Sequence, residues 1–537
     1  MEYDSKTSVE FMSFVSTGFV FFCALAVLIY YIVPQKAKWI VLLTASYIFY
    51  ALNNFKAIIF IFSSTLASYI CSLCISKIAD KYDVILKTIE DKAERKKLKA
   101  KCKSKKKVIA AIGLIFCIGI LVIIKYTNFF ILNINALLPK TARIPGVHII
   151  LPLGISFYTF QIASYIFDVY NGKYKAEKNF FHYALYVSWF PSILQGPISR
   201  YNELKNQFFE EEHHFDITAC QFAIQRILWG FLKKLVIADR AAEVVTYIFS
   251  EYENLPWYIT FTGLLFYSIK LYADFSGGMD VVLGVSELVG IRLSENFRQP
   301  FFSQTISEFW RRWHITLGTW MKDYVFYPFS LSKFASNLGF KISKINKYAG
   351  KIVPMCLANL LVFFIVGIWH GAEWHFIFYG LYNGLFIVLG IVFKPVFEKL
   401  IVILHIDVKK AWYKAFRILR TFLLVNIGWV FDEVTDLKMS FSMLKQLFSF
   451  NTNSLIQNWK FDTFSELTIY TVIFFCMIMV CNKHFKRKEY RCPQKDSVFF
   501  TALKMDNLSC TRIMCSFFPS SKHGGVHICS VLISVNI

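Results

Sequence analysis

Apolar runs of membrane-crossing length recur along the chain. They lie near residues 12–33, 38–53, 56–77, 107–132, 148–169 and 180–196, then near 218–236, 257–273, 277–290, 353–370, 374–395, 412–431 and 466–482. About 20 helical residues cross the ~30 Å hydrocarbon core of a bilayer, where no water reaches the backbone, so such runs fold as helices that satisfy their own hydrogen bonds. The chain therefore reads as an all-α polytopic protein of the cell membrane. Of its 537 residues 56% are hydrophobic and 57 are Phe, and the mean hydropathy is +0.46. A soluble core cannot absorb that composition without large exposed patches. Several runs are too short for a perpendicular crossing and carry polar residues. Tilted, broken or re-entrant helices survive in a membrane only where protein or a water-filled cavity covers the freed backbone, which points to an internal chamber.

The net charge of +23 is unevenly spread: residues 81–107 hold 12 Lys/Arg against 4 Asp/Glu. Basic clusters beside spans stay cytoplasmic, so this segment is expected as a cytoplasmic loop. That sets "PQKAK" (Pro34 to Lys38) inside and the acidic N-terminus, "MEYDSKTSVE", outside. Stacking aromatics are almost absent from the basic run, which argues against nucleic acid as a partner. The N-terminus also lacks a basic signal-peptide region, so the first run is expected to be a retained span. "CSLC", Cys71 to Cys74, lies within an apolar run and reads as packing rather than as a metal site, and nothing in the cysteine spacing implies a metal or a disulfide scaffold. There is no internal repeat. Residues 1–482 form the membrane domain, and 483–537, with its scattered cysteines and no helical period, reads as an irregular tail.

Four stretches set polar groups among apolar ones. In "LPLGISFYTFQIASYIFDVYNGKY", Leu151 to Tyr174, Ser156, Gln161, Ser164 and Asp168 suit interhelical hydrogen bonds or a polar lining. In "WFPSILQGPISRY", Trp189 to Tyr201, Pro191, Gly196 and Pro197 break any regular helix. The freed backbone beside Gln195, Ser199 and Arg200 forms either a pocket wall or a boundary turn. In the third, Tyr272 to Phe301, Asp274 and Asp280 flank "FSGG", and carboxylates this close to spans are functional candidates. No G-x-x-x-x-G-K-[ST] occurs anywhere, which argues against a nucleotide-hydrolysing engine.

The fourth stretch, "SEFWRRWHITLGTWMKDYVFYP" (Ser307 to Pro328), reads as one amphipathic interfacial helix. Ser307 is its expected cap, with Glu308 in the first turn but outside the capping-box position. Trp310, Trp313, Leu317 and Trp320 share a face turned toward acyl chains, His314 sits beside it, and Arg311, Arg312, Lys322 and Asp323 form polar edges. His314 is then either an interface histidine or a site residue. His370, in "GIWHG", has the same two readings. A Trp–His pair at a helix end is ordinary aromatic-belt usage, yet Gly371 removes bulk beside the imidazole and apolar runs lie on both sides. His375 is a further imidazole nearby, and "EEHHFD" (Glu211 to Asp216) reads as a solvated loop.

Seven segments follow one another from about Leu151 to Gly390: "PLGISFYTFQ", "FPSILQGPISR", "GFLKKLVIADR", "ADFSGGMD", "SENFRQPF", "SEFWRRWHITLGTWMKDYVFYP" and "GIWHGAEWHFIFYGLYNG". Together they resemble the membrane-bound O-acyltransferases, specifically the bacterial branch of alginate O-acetylases and teichoic acid D-alanyl transferases. The resemblance implies a multi-helix bundle around a tunnel, a catalytic core near 151–390, a donor arriving from the cytoplasm and an acceptor hydroxyl from outside. The family's two histidines fall on His314 and His370. Trp310, Arg311, Trp313, Asp274, Gln195 and Asn383 are carried along as residues that position donor or acceptor.

Acyl transfer from a thioester to a hydroxyl needs a general base, because an alcohol is a poor nucleophile until its proton is being removed. Imidazole titrates near neutrality and suits the task, and the role falls to His370. His314, with Trp310 and Trp313 around it, positions the donor or polarises its carbonyl. No G-x-S-x-G elbow is present, so direct transfer is expected rather than an acyl-serine intermediate. No bound cofactor is implied; the donor is acetyl-CoA or another acyl thioester. The expected acceptor is an extracytoplasmic polysaccharide. Implied partners are a periplasmic or extracellular acyltransferase, an acyl carrier protein and membrane lipids. The length of the chain favours the acetylase side of the branch over D-alanyl transfer. Its cysteine-rich end departs from the apolar end usual there, as a shifted reading frame or a divergent terminus would. The competing classes are a transporter or channel gated by the histidines, and a scaffold for an extracellular acylating partner.

Overall fold

The computed structural model describes residues 13–149, 151–193 and 195–449, and among them it holds helices and short helical turns but no strand. The first group is α1 (Thr17–Ile32), α2 (Lys38–Asn54), α3 (Ile58–Thr88) and α4 (Lys92–Leu137). Phe19, Phe49 and Ile61 are buried there, whereas Phe21, Ile59 and Ile115 on the same helices are largely exposed. Exposed apolar faces of that extent have acyl chains as their solvent. Among the described residues, four helical stretches are long and apolar enough to cross a bilayer: Gln35–Thr88, Lys92–Leu137, Lys347–His370 and Trp374–Val392. The chain is a multi-pass membrane protein. The expected run at 466–482, the tail at 483–537 and the acidic N-terminus lie outside the described residues.

The basic segment at 81–107 is not a loop. Helix α3 runs on to Thr88 and α4 restarts at Lys92, with Asp91 accepting hydrogen bonds from the Ala93 and Glu94 N–H groups. Lys and Arg are good helix formers, and one aspartate at the start of α4 supplies the cap that the turn needs.

The middle of the chain folds into α5 (Ile155–Tyr170), α6 (Phe180–Ser188), α7 (Phe190–Ile193), α8 (Tyr201–Phe209), α9 (Ile217–Phe231), α10 (Asp239–Ser250) and α11 (Trp257–Leu288). The apolar run at 148–169 becomes helical only at Ile155. Gly154 precedes it at φ +65°, and a Cβ there would fall 2.0 Å from the Ile193 carbonyl oxygen. The break expected around Pro191 is present: α6 stops at Ser188 and α7 is a single turn. A π-helical stretch, Leu232–Ala238, joins α9 to α10. Two expected runs, 257–273 and 277–290, are one helix, α11. Its glycines do not interrupt it; they let it touch α9. A Cβ on Gly277 would lie 2.9 Å from the Gly230 carbonyl oxygen, and one on Gly230 would lie 2.7 Å from that of Gly277. Such small-residue crossings let membrane helices pack at close range.

The third group is α12 (Ile306–Arg312), α13 (Ile315–Met321), α14 (Tyr327–Ser330), α15 (Lys333–Ser343), α16 (Lys347–His370), α17 (Trp374–Val392), α18 (Lys394–Ile403), α19 (Ala411–Glu433) and α20 (Leu437–Ser449). Helices α16 and α17 cross where a Cβ on Gly380 would lie 2.2 Å from the Phe363 carbonyl oxygen. Side-chain hydrogen bonds tie the rest together. Trp320 Nε1 donates to Phe160 O at 2.9 Å (α13 to α5), Trp310 Nε1 to Asn383 Oδ1 at 3.1 Å (α12 to α17), and Ser268 Oγ to Asn426 Oδ1 at 2.9 Å (α11 to α19). Both histidines lie among these helices.

Candidate active site

Thr305 caps α12: its hydroxyl accepts from the Glu308 N–H at 3.0 Å, while the Glu308 carboxylate accepts from the Gln304 N–H at 2.8 Å. The cap is thus two residues earlier than the expected Ser307, and the shift puts Glu308 three residues after it, where its carboxylate takes the N–H of Gln304, just before the cap, rather than that of Thr305 itself. The amphipathic helix expected across Ser307 to Pro328 is also broken. It stops at Arg312 and restarts at Ile315, because His314 adopts φ +47°. Left-handed backbone is costly for a residue with a Cβ, so neighbours must hold it. The Trp313 N–H bonds Phe309 O at 2.8 Å, and the Ile315 N–H bonds Asn296 O at 3.0 Å. The Thr316 N–H and Oγ1–H both donate to Asn296 Oδ1, at 2.9 and 2.8 Å. Helix α13 has no cap of its own and borrows one from Asn296, buried in the segment quoted above as "SENFRQPF".

This break changes what the aromatic residues do. Trp313, Leu317 and Trp320 are buried against protein rather than turned to lipid. His314 is 3% exposed, and neither ring nitrogen has a hydrogen-bond partner among the described residues. It lies 4.9 Å from Phe275, 5.7 Å from Trp369 and 6.4 Å from Phe157, measured between ring centroids.

His370 is the last residue of α16. Its ring is 5.1 Å from Trp369, 5.5 Å from Tyr379 and 6.0 Å from Phe376. Nδ1 lies 3.8 Å from Asp432 Oδ1, within ion-pair range but beyond a direct hydrogen bond, and Asp432 Oδ2 accepts from Tyr267 OH at 2.8 Å. The free carbonyls at the end of α16 are taken up by α4: Tyr126 OH donates to Ile368 O at 2.6 Å, and Lys125 Nζ reaches the Trp369 and His370 carbonyls. A cation at a helix C-terminus is also favoured by the helix dipole. A Cβ on Gly371 would fall 2.1 Å from the Phe376 ring, so this glycine admits the ring that packs on His370. His375 is occupied on both sides, Nδ1 by Phe431 O at 2.9 Å and Nε2 by Glu373 at 3.0 Å, which makes it a structural residue.

The remaining candidates divide. Trp310 and Asn383 pair with each other, Asn383 also donating to Tyr379 O at 2.9 Å, and Trp310 packs on Phe363 at 5.3 Å. Trp313 sits against Tyr272, Phe297 and Trp429. These three residues support the walls around the histidines. Arg311 does not: it is exposed and bonds Ser307 Oγ at 3.0 Å. Asp274 pairs with Lys234 at 2.8 Å, and Gln195 lies against α11 at Gly278. Asp280 is held by Arg226 at 3.2 Å and by Lys233. A separate polar cluster joins three of the quoted stretches: Tyr324 OH donates to Asp168 Oδ1 at 2.8 Å, and the Arg200 guanidinium lies over the Tyr324 ring at 4.6 Å. Asp432, Tyr267, Lys125 and Asn296 were not anticipated. Lys125 had a signal, since it is the one ionisable Lys, Arg, Asp or Glu between Val108 and Leu137. Asp432 follows "WVF" at the end of an apolar run, where a carboxylate resembles any boundary residue.

Comparison with known proteins bears on the family of the chain. The sequence profile of the MBOAT, or membrane-bound O-acyltransferase, family matches residues 176–341. A probable alginate O-acetylase of Azotobacter vinelandii is 32% identical over 444 residues, 82% of this chain and 78% of that protein. A peptidoglycan O-acetyltransferase of Helicobacter pylori is 29% identical, over 79% of this chain and 77% of its own length. A teichoic acid D-alanyltransferase of Bacillus subtilis is 31% identical over 44% of this chain and 58% of its own length.

Proposed function

The chain belongs to the membrane-bound O-acyltransferase family, and from that premise we propose that it moves an acetyl group from a cytoplasmic thioester to hydroxyls of an extracytoplasmic polysaccharide. With membership of an enzyme family, the transporter and scaffold readings fall away. His370 is the general base and His314 meets the donor. One observation carries the assignment: both imidazoles are in ring contact with the same indole, Trp369. His314 keeps two unpartnered nitrogens there, and His370 faces a buried carboxylate. An unpartnered buried imidazole is costly unless a ligand completes it. A carboxylate facing the other ring stabilises the imidazolium that forms when the acceptor proton arrives, the role such a group plays in hydrolase triads.

Acetyl is preferred over D-alanyl because the similarity to O-acetylating relatives extends over about four fifths of this chain, 82% and 79%, against 44% for the D-alanyl transferase. A thioester serves as donor because its carbonyl is activated and its thiolate is a good leaving group. Acetyl-CoA is the donor that this reading calls for, with this chain performing the transfer; an acyl carrier protein and a partner acyltransferase outside the membrane are partners the resemblance implies and the transfer step itself does not require. Mass spectrometry of surface polymers from cells with and without the chain tests it. An acetyl ester present only with the chain is expected, and a D-alanyl ester or unchanged polymers would overturn it.

A further inference from the structure

We propose that the indole N–H of Trp369 is the oxyanion donor of the transfer step, a role that rests on His370 as its general base. The tryptophans around the site differ in what their N–H does. Trp310 donates to Asn383 and Trp320 to the Phe160 carbonyl. Trp369 Nε1 is buried and has no acceptor among the described residues. Trp189 and Trp429 are also buried without one, but Trp189 packs on Phe190 and Phe208, and Trp429 on Tyr267, Phe309, Trp313 and Tyr379. Neither of those makes ring contact with a histidine in this set. The Trp369 ring touches both, His314 at 5.7 Å and His370 at 5.1 Å. Three unpaired buried polar atoms, the two nitrogens of His314 and Nε1 of Trp369, therefore gather beside the base. Two of them lack an acceptor, the indole N–H and the one protonated nitrogen of the neutral His314 imidazole, while the other His314 nitrogen lacks a donor.

The indole is also held in place. Its ring packs on Phe157 at 5.8 Å and stacks on Phe160 at 6.2 Å, and the turn that carries it is fixed by Tyr126 and Lys125. A donor that is rigid and dry before the reaction begins is what stabilises developing charge most effectively.

In the step itself, the acceptor oxygen bonds to the thioester carbonyl carbon as its proton passes to the His370 imidazole. The carbonyl electron pair moves onto oxygen, which accepts the Trp369 N–H. Collapse restores the carbonyl, breaks the carbon–sulfur bond, and the departing thiolate takes the proton back from His370. The N–H is not consumed.

The experiment uses the full chain in membrane vesicles, with acetyl-CoA as donor and an unacetylated surface oligosaccharide as acceptor. Three forms are compared: Trp369→Phe, Trp369 replaced by β-(3-benzothienyl)alanine, and His370→Gln. The benzothienyl ring keeps the shape of indole and replaces its N–H by sulfur, so packing survives even where Trp369→Phe fails to fold. Expected is a fall in kcat of roughly 100-fold for the benzothienyl form with KM for acetyl-CoA within about threefold of wild type. Wild-type kcat in that form, or a rise in KM alone, overturns the assignment while His370→Gln stays inactive. Full activity in His370→Gln instead overturns the reading beneath it.

Discussion

His314 sits at φ +47° on a backbone that Asn296 staples from outside the helix. A left-handed residue with a Cβ costs about 1–2 kcal/mol. Glycine at this position escapes that cost and alanine does not, while both lose the imidazole. His314→Gly should therefore be more stable than His314→Ala by about 1 kcal/mol in a detergent melting experiment, and both should be inactive. Equal stability would mean that the strain is not real. Asn296→Ala removes the borrowed cap and both Thr316 bonds, and should lower stability by about 1–2 kcal/mol with a loss of activity. At His370 the partner is Asp432. Asp432→Asn should reduce kcat by on the order of tenfold or more with little change in KM, because it withdraws charge from the imidazolium and leaves the walls intact. The two histidines, Trp310 and Asn383 stood out in the sequence as separate candidates through the order of the motifs; that Trp310 and Asn383 bond each other did not. Asp432 and Asn296 were not, because nothing local to "WVFDE" or "SENF" tells which distant side chain the carboxylate or carboxamide will meet.

Helices α9 and α11 cross on Gly230 and Gly277, and their glycines serve contact rather than flexibility. Gly277→Val should destabilise the chain by about 1–3 kcal/mol, read as a lower melting temperature and poorer recovery from membranes. Gly119→Ala on α4 is the control: nothing lies within 4 Å of the added Cβ, so stability should hold or rise by about 0.5–1 kcal/mol. At this scale apolar periodicity located the runs well and their ends poorly. The runs 257–273 and 277–290 were expected as two, yet α11 continues through residues 274–276 between them, where Asp274 pairs with Lys234. The reverse happened at "FWRRWHITL", where every residue suits one helix and the tertiary bonds to Asn296 split it in two. The basic run at 81–107 folded as helix because its composition favours helix once Asp91 caps it.

Across the molecule, the all-α membrane class followed directly from apolar length, since lipid leaves the backbone no other solution over such runs. The site did not follow from any one run: it is assembled from α5, α11, the α12–α13 break, α16, α17 and α19, which meet only after packing. There, on the proposed reading, this chain uses His370 to move an acyl group onto a hydroxyl. The most direct measurement reconstitutes the purified protein in lipid vesicles with isotope-labelled acetyl-CoA and an oligosaccharide acceptor, and follows labelled ester for wild type and His370→Gln at equal incorporation. Wild type should form the ester and His370→Gln none above background. Equal ester formation by both forms would contradict that reading.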